Sequence, residues 1–228
     1  MLSVVVPTYN EAGSLPKLAE RLHAALAGRD WEFVVVDDGS PDGTADVALS
    51  LAPRIPVRVV RRAGKAGLAS AVVAGFDAAH GDMLLVMDAD LSHPPEVVPA
   101  LVDAIEHGAD LAVGSRYVQG GGVMDWPLQR RAVSRVACLI GNLLVPVRDA
   151  TSGFFALRRT VIDGVRLNPI GFKIGFEVIA RGRYTKVVEV PYTFRDRELG
   201  ASKFGRREIA QYVVQLGQVA RDKALRRI

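Results

Sequence analysis

Two carboxylates separated by one small residue, Asp88-Ala89-Asp90, close the apolar run Met83-Leu84-Leu85-Val86-Met87. Such a run reads as a buried strand. Carboxylates at its end are hard oxygen ligands suited to Mg²⁺ or Mn²⁺, ions bound through one or two carboxylates plus substrate phosphates and water. The same residues also suit a capped turn, with Asp and Ser standing ahead of Pro94-Pro95. Two further apolar runs end alike, in Pro7-Thr8-Tyr9-Asn10-Glu11 and in Asp37-Asp38-Gly39-Ser40. Five acidic side chains converging on one cleft repel one another unless a cation or a donor-rich ligand compensates, so the cluster itself predicts something bound.

Basic residues gather downstream: Arg116 in Gly-Ser-Arg-Tyr, then Arg130, Arg131 and Arg135 around Ser134. Arginine is suited to bidentate grips on phosphate. Arg130 and Ser134 are four apart and share a helix face, although a solvated face would show the same residues. The glycine-rich phosphate loops are missing, since the first strand leads into Pro-Thr-Tyr-Asn-Glu and Gly64-Lys65-Ala66-Gly67 lacks the Gly-Lys-Ser/Thr ending. Lys65 suits either a phosphate or a solvated loop.

To bring these groups to one edge, their strands must share a sheet. Short Val-rich runs alternate with helix-length amphipathic ones, the pattern of βα units around a mostly parallel sheet. Strands are expected at Leu2 to Val6, Trp31 to Val36, Val57 to Val60, Met83 to Met87 and Asp110 to Val113. Helices are expected over Leu15 to Leu26, Thr44 to Leu51, Leu68 to Ala79 and Pro95 to Glu106. In an open α/β sheet, ligands sit outside the carboxyl ends of the strands. Beyond Gly114 the signals thin to a loop at Gly120-Gly121-Gly122, a helix from Gln129 to Leu144, a strand near Phe154 to Leu157 and a late strand over Tyr184 to Pro191. From Arg206 to Ile228, Ile209, Tyr212, Val213, Leu216 and Ala220 recur at helical spacing. Arg206, Arg207, Arg221, Lys223, Arg226 and Arg227 crowd the two ends, which makes a basic amphipathic helix.

The 228 residues suffice for one large domain, and 49% apolar against 24% charged residues argues against long disordered tracts. A single cysteine, Cys138, excludes an internal disulfide and fits a reducing compartment. Met1 to Pro7 lacks the basic start and cleavage site of a secretory signal. The longest nearly uncharged apolar stretch, Val136 to Val147, contains Gly141, Asn142 and Pro146 and falls short of the roughly 20 residues a spanning helix needs. A net charge of +4 is compatible with anionic lipid or phosphate ligands. Nucleic acid is not an expected partner, because aromatic and basic residues do not interleave on one surface.

The ordered set VVVPTYNE, VVDDGSPDGT, MDADLSHPP, GSRYVQGGG, RRAVSR, DATSGF and YTFRDRELGASKFGRREI closely resembles the polyprenyl-phosphate (dolichyl-phosphate) mannose synthases, inverting family 2 glycosyltransferases of GT-A (Rossmann-like) fold. The likeness runs from Val4 to about Ile209; each motif is weak alone and the order is specific. It implies an α/β GT-A catalytic domain over 1–204 and a membrane-interface helix over 205–228. It implies that Pro7, Tyr9 and Glu11, with Asp37 or Asp38 and Lys65 nearby, bind the nucleoside part of a sugar nucleotide. Asp88, Ala89 and Asp90 would face its diphosphate, Asp88 and Asp90 holding Mg²⁺ or Mn²⁺ with Ser92 contributing where some relatives have glutamine. Arg116, Arg130 and Ser134 would hold the acceptor lipid phosphate, while Arg197, Ser202 and Lys203 belong to a segment that closes over the donor. Asp90, Arg116, Arg130 and Lys203 would carry the reaction.

The implied activity is transfer of mannose from GDP-mannose to a polyprenyl phosphate, with inversion, by an enzyme peripheral to the cytoplasmic face of a membrane or docked on a membrane partner subunit. Two departures put the sugar in doubt. Phe155 stands where arginine usually follows Thr151-Ser152-Gly153-Phe154, and Gly171-Phe172-Lys173-Ile174-Gly175-Phe176-Glu177 replaces an aromatic-Gln pattern. One alternative is glucose transfer from UDP-glucose, separable by donor competition. Another is a non-catalytic nucleotide-sugar or lipid-phosphate binding subunit, against which the intact Asp88, Asp90, Arg116, Arg130 and Lys203 argue.

Overall fold

The computed structural model describes residues 1–196 and 206–225, with the backbone alone at 206 and 207. Its strands are β1 (Leu2–Thr8), β2 (Trp31–Asp37), β3 (Val57–Arg61), β4 (Met83–Val86), β5 (Leu111–Ser115), β6 (Gly122–Val123), β7 (Phe155–Arg158), β8 (Val187–Pro191) and β9 (Thr193–Phe194). The valine runs of β1 and β2 are buried along nearly their whole length, as strands covered by helices on both faces must be. Seven strands form one sheet in the order β3-β2-β1-β4-β7-β5-β8, parallel except for β7, which is antiparallel to β4 and β5. The two-residue strands β6 and β9 pair separately.

The helices are α1 (Leu15–Ala25), α2 (Thr44–Ser50), α3 (Leu68–Ala78), α4 (Val98–Glu106), α5 (Leu128–Asn142), α6 (Ile174–Arg181) and α7 (Arg206–Ala224). Leu15, Leu18 and Leu22 of α1 join Leu101 and Ile105 of α4 in one core layer. Val72 and Phe76 of α3, Phe176 and Ile179 of α6 and Tyr212, Leu216 and Val219 of α7 make the other. Each fully buried leucine contributes roughly 1.5–3 kcal/mol. The second layer lies close to the sheet: a Cβ on Gly75 of α3 would stand 2.3 Å from Val5 Cγ1, so only glycine admits this approach.

Three expectations are corrected. The helix anticipated from Pro95 divides into a 3-10 turn at Pro95–Val97 and α4 from Val98, because the prolines at 94, 95 and 99 withhold amide donors from the first turns. The late strand begins only at Val187; ahead of it the Thr185 and Lys186 amides donate to the Asp110 carboxylate at 2.8 and 2.9 Å. The segment after Gly171, read only as a motif departure, contains α6.

The C-terminal helix forms from Arg206, and its inner face is packed on the domain. Tyr212 donates to the Ala137 carbonyl (3.1 Å), Gln215 to Glu177 (3.2 Å) and Arg181 to Asp222 (2.8 Å). Of its expected apolar face, Tyr212 and Leu216 are buried, whereas Ile209 and Val213 are exposed. Arg226, Arg227 and Ile228 lie outside the described residues.

Candidate active site

The chain builds β1, β2 and β3 to one side and then returns to lay β4 on the other side of β1. The strand order therefore reverses between β1 and β4, and a crevice opens outside their carboxyl ends. A cleft of about 720 Å³ lies there, reaching from Tyr9 and Asp38 past Asp88 and Asp90 to Arg116 and Arg130. Pro7, Glu11, Lys65, Ala89, Ser92 and Ser134 also line it.

On the β1–β2 side, the Lys65 ammonium stands 4.4 Å from the centre of the Tyr9 ring. Glu11 accepts from the Ser14 hydroxyl at 2.7 Å ahead of α1. Adjacent residues in extended chain point to opposite sides, and the acidic pair at the end of β2 divides accordingly. Asp38 lines the cleft, accepting from Arg62 (2.5 Å) and the Gly67 amide (3.0 Å). Asp37 does not line it; its carboxylate accepts from the Ser40 amide at 3.0 Å and the Thr8 hydroxyl at 3.3 Å. Of these two candidates, Asp38 faces the ligand space and Asp37 builds the turn.

After β4 the chain turns sharply. Leu91 is held at φ 64, a left-handed conformation that costs a non-glycine residue roughly 1–2 kcal/mol, and the turn lets the Ser92 amide donate to Asp90 at 3.1 Å. The Asp88 amide donates to His93 Nδ1 at 3.0 Å, so this ring carries its proton on Nε2. His93 is buried, stacked on Phe154 with centroids 5.0 Å apart. Burial, partly opposed by the Asp90 charge, pulls its pKa down to about 4, and the imidazole is neutral at ordinary pH. His93 thus anchors the backbone of the carboxylate pair.

The Ser92 hydroxyl is buried beside Asp90 with no hydrogen-bond partner among the described residues. Two carboxylates and a hydroxyl without a partner are hard donors suited to a divalent cation. Among the described residues no three His, Cys, Asp or Glu side chains converge into a shell, so phosphate oxygens and water would have to supply the remaining ligands, as Mg²⁺ allows. The residues present fit such an ion.

Across the cleft the wall is basic. Arg116 is buried, donating through Nε and Nη2 to the fully buried Asp149 at 2.7 Å each and through Nη2 to the Thr151 hydroxyl at 2.8 Å. Its backbone amide adds a third bond to Asp149 at 3.0 Å. Burial pushes the Asp149 carboxyl up, but the Arg116 charge and hydrogen bonds outweigh burial and hold it below the usual carboxylate range. Asp149 thus fixes Arg116 and leaves Nη1 outside the pair. Arg130 stacks 4.1 Å from the Trp126 ring and bonds Asp196 at 2.7 Å. That pair is half exposed and worth about 0–1 kcal/mol. Ser134 accepts from the Tyr117 hydroxyl at 2.7 Å.

Arg197, Ser202 and Lys203 lie outside the described residues. His93, Trp126, Asp149 and Asp196 were not singled out as site residues from the sequence. Asp149 pairs across 33 positions, and although it opens the motif DATSGF it was given no role there.

A sheet that reverses at its switch point, with a carboxylate pair facing buried arginine, has the architecture of the GT-A glycosyltransferases. The solved glucosyl-3-phosphoglycerate synthase of Mycobacterium tuberculosis, in complex with Mn²⁺, UDP-glucose and phosphoglyceric acid, shares the fold at a TM-score of 0.68 and 22% identity, over 95% of this chain and 80% of that one. Residues 3–166 match the family described as Glycosyl transferase family 2. The chain is 50% identical over 216 residues to a dolichol-phosphate mannosyltransferase of Pyrococcus furiosus, covering 93% of this chain but 61% of that protein's length. It is 42% identical over 227 residues to a polyprenol monophosphomannose synthase of Mycolicibacterium smegmatis, covering 94% of this chain and 85% of the relative. The chain belongs to glycosyl transferase family 2.

Proposed function

We propose that this chain transfers mannose from GDP-mannose to the phosphate of a polyprenyl lipid, with inversion, giving polyprenyl-phosphate mannose and GDP. One observation carries this reading: a single cleft holds a carboxylate pair at the switch point and, facing it, an arginine wall fixed by a buried carboxylate. The names of the two relatives supply the sugar and the lipid class.

A phosphate monoester has a second pKa near 6, so the acceptor is already anionic at neutral pH and needs no general base. An acceptor oxygen attacks the anomeric carbon, and the anomeric bond breaks with its electron pair leaving on the diphosphate. Two anions must approach, and the protein has to position them and relieve their repulsion. Arg116 does so as a preset positive wall, its geometry held by Asp149. Arg130 adds a second cation by exchanging Asp196 for phosphate, with Ser134 on the same helix face. Tyr9, Glu11, Asp38 and Lys65 hold the nucleoside end, with Pro7 and Ala89 shaping the floor. A divalent cation held by Asp88 and Asp90 beside the Ser92 hydroxyl would act as a Lewis acid on the leaving diphosphate.

No helix among the described residues is long and apolar enough to cross a membrane. The lipid is met instead by α5, whose inner face carries Arg130 and Ser134. Its outer face exposes Leu128, Val136 and Leu139, continued by Leu143 just past its end, with Arg131 and Arg135 also at the surface. Apolar residues beside cations suit an anionic membrane surface. Ile209, Val213 and Val214 of α7 are exposed as well, so the C-terminal helix offers a second apolar surface beside α5.

The test is GDP release from GDP-mannose with and without polyprenyl phosphate. Release that depends on the lipid phosphate supports transfer; equal release without it would make the protein a hydrolase and end this reading.

A further inference from the structure

Lys173 immediately precedes α6, with its backbone clamped. Its carbonyl accepts from Gln215 of α7 and from the Glu177 amide, each at 3.3 Å. Its side chain lines the cleft, where the ammonium stands 4.5 Å from the Phe172 ring centre and donates to the Thr151 carbonyl at 2.9 Å. The Thr151 hydroxyl is the group that receives Arg116 Nη2. One threonine therefore holds a guanidinium on one oxygen and an ammonium on the other.

Several of the charged groups around it are already paired with one another. Asp149 neutralises Arg116, Asp38 pairs with Arg62 and Asp196 pairs with Arg130. Lys173 has no carboxylate within 4.0 Å among the described residues, and its one hydrogen-bond acceptor there is a neutral carbonyl. Asp149 and Asp88 act on it only from a distance, so a half-buried ammonium placed here gains when an anion comes into direct contact. Burial, reinforced by the Arg116 charge and partly opposed by Asp149, Cys138 and Asp88, pulls its pKa down to about 8.

We infer that Lys173 is a further phosphate-binding residue, its ammonium meeting the acceptor's phosphate monoester beside Arg116. The inference deepens the proposed function and rests on its acceptor. Lys173 thereby adds a further cation beside Arg116, whose charge Asp149 partly offsets. The site is preset for an anion because the cation is held there before the ligand enters.

The test titrates wild type, Lys173→Met and Lys173→Arg with farnesyl phosphate and, separately, with GDP and Mg²⁺, and measures mannosyl transfer in parallel. Losing a charge-assisted hydrogen bond should weaken farnesyl phosphate binding by roughly 10- to 100-fold in Lys173→Met, with GDP affinity unchanged and most affinity kept in Lys173→Arg. The thermal midpoint of Lys173→Met should not fall, because an ammonium without a counter-ion does not stabilise the fold; a structural lysine would lower it.

The groups facing Lys173 are Arg116, Asp149, Cys138, Asp88 and His93. His93 is neutral above about 4 and burial pushes the Cys138 thiol up to about 11. Wild-type affinity for farnesyl phosphate should therefore decline as pH rises above about 8, while Lys173→Arg stays flat. Unchanged phosphate affinity in Lys173→Met, or a loss shared equally with GDP, overturns the assignment. Wild type that transfers no sugar to polyprenyl phosphate defeats the proposed function instead, a distinct result from a variant that matches an active wild type.

Discussion

Asp149→Asn tests the buried pair on which the basic wall depends. Asp149 is fully buried and receives three bonds from Arg116, two at 2.7 Å and one at 3.0 Å. Asparagine keeps the size but removes the charge, and its NH₂ group confronts guanidinium N–H donors. Breaking a buried pair by removing one partner costs about 3–5 kcal/mol, because the remaining charge is left uncompensated. Against a total stability of roughly 5–15 kcal/mol that is a large fraction. For a domain of this size it lowers the thermal midpoint by about 6–20 °C. Equilibrium urea unfolding measures it, with Arg116→Met/Asp149→Leu as the control. Removing both charges together should restore much of the loss, since apolar replacements of buried pairs are often neutral or stabilising, while acceptor binding stays lost. Acid acts on the same pair. The Asp149 pKa is lowered in the folded state, so its stabilisation is present above the unfolded carboxylate pKa and is lost as pH falls through the folded value. An Asp149→Asn loss below about 1 kcal/mol, or a double variant no more stable than the single one, would refute the reasoning.

Other perturbations separate the remaining parts of the site. Asp90→Asn should lower turnover by about 10²–10³-fold, with Mn²⁺ affinity lost and the unfolding midpoint nearly unchanged; turnover close to wild type would remove the carboxylate from the chemistry. His93→Leu leaves the Asp88 amide without its acceptor and should weaken Mn²⁺ binding by about 10–100-fold, measured by titration of folded protein. Leu139→Glu/Leu143→Glu, at exposed positions on α5 and just past its end, should cut sedimentation with anionic vesicles by about tenfold or more while leaving stability within about 0.5 kcal/mol. Unchanged vesicle binding would exclude that face.

The parallel half of the fold was legible because its strands are valine runs buried on both faces, where composition alone separates strand from helix. The Asp88–Asp90 pair was legible because both residues are close in sequence and follow a strand. Other features depend on residues far apart in the chain. Arg116 stood out as a phosphate ligand, but its tie to Asp149 requires β5 and the Asp149 turn to meet, which no local pattern encodes. Asp37 and Asp38 looked equivalent until the pleat placed them on opposite sides. The α6 helix was hidden because its residues from Ile174 to Ile179 are all buried, leaving no polar face to reveal a period. The strands β6 and β9 are two residues each, too short to show alternation. The outward face of α7 was overestimated because its partners on α5 and α6 come from other parts of the chain.

The most direct test of the central claim is transfer of label. The protein is incubated with Mg²⁺, a polyprenyl phosphate in detergent, and labelled GDP-mannose or UDP-glucose in separate reactions, and label is counted in the organic extract. The expected result is label from GDP-mannose alone, with none from either donor when the lipid phosphate is omitted. Label from UDP-glucose alone would contradict the sugar assignment, and label from neither would contradict the account of a single cleft that binds donor and acceptor together.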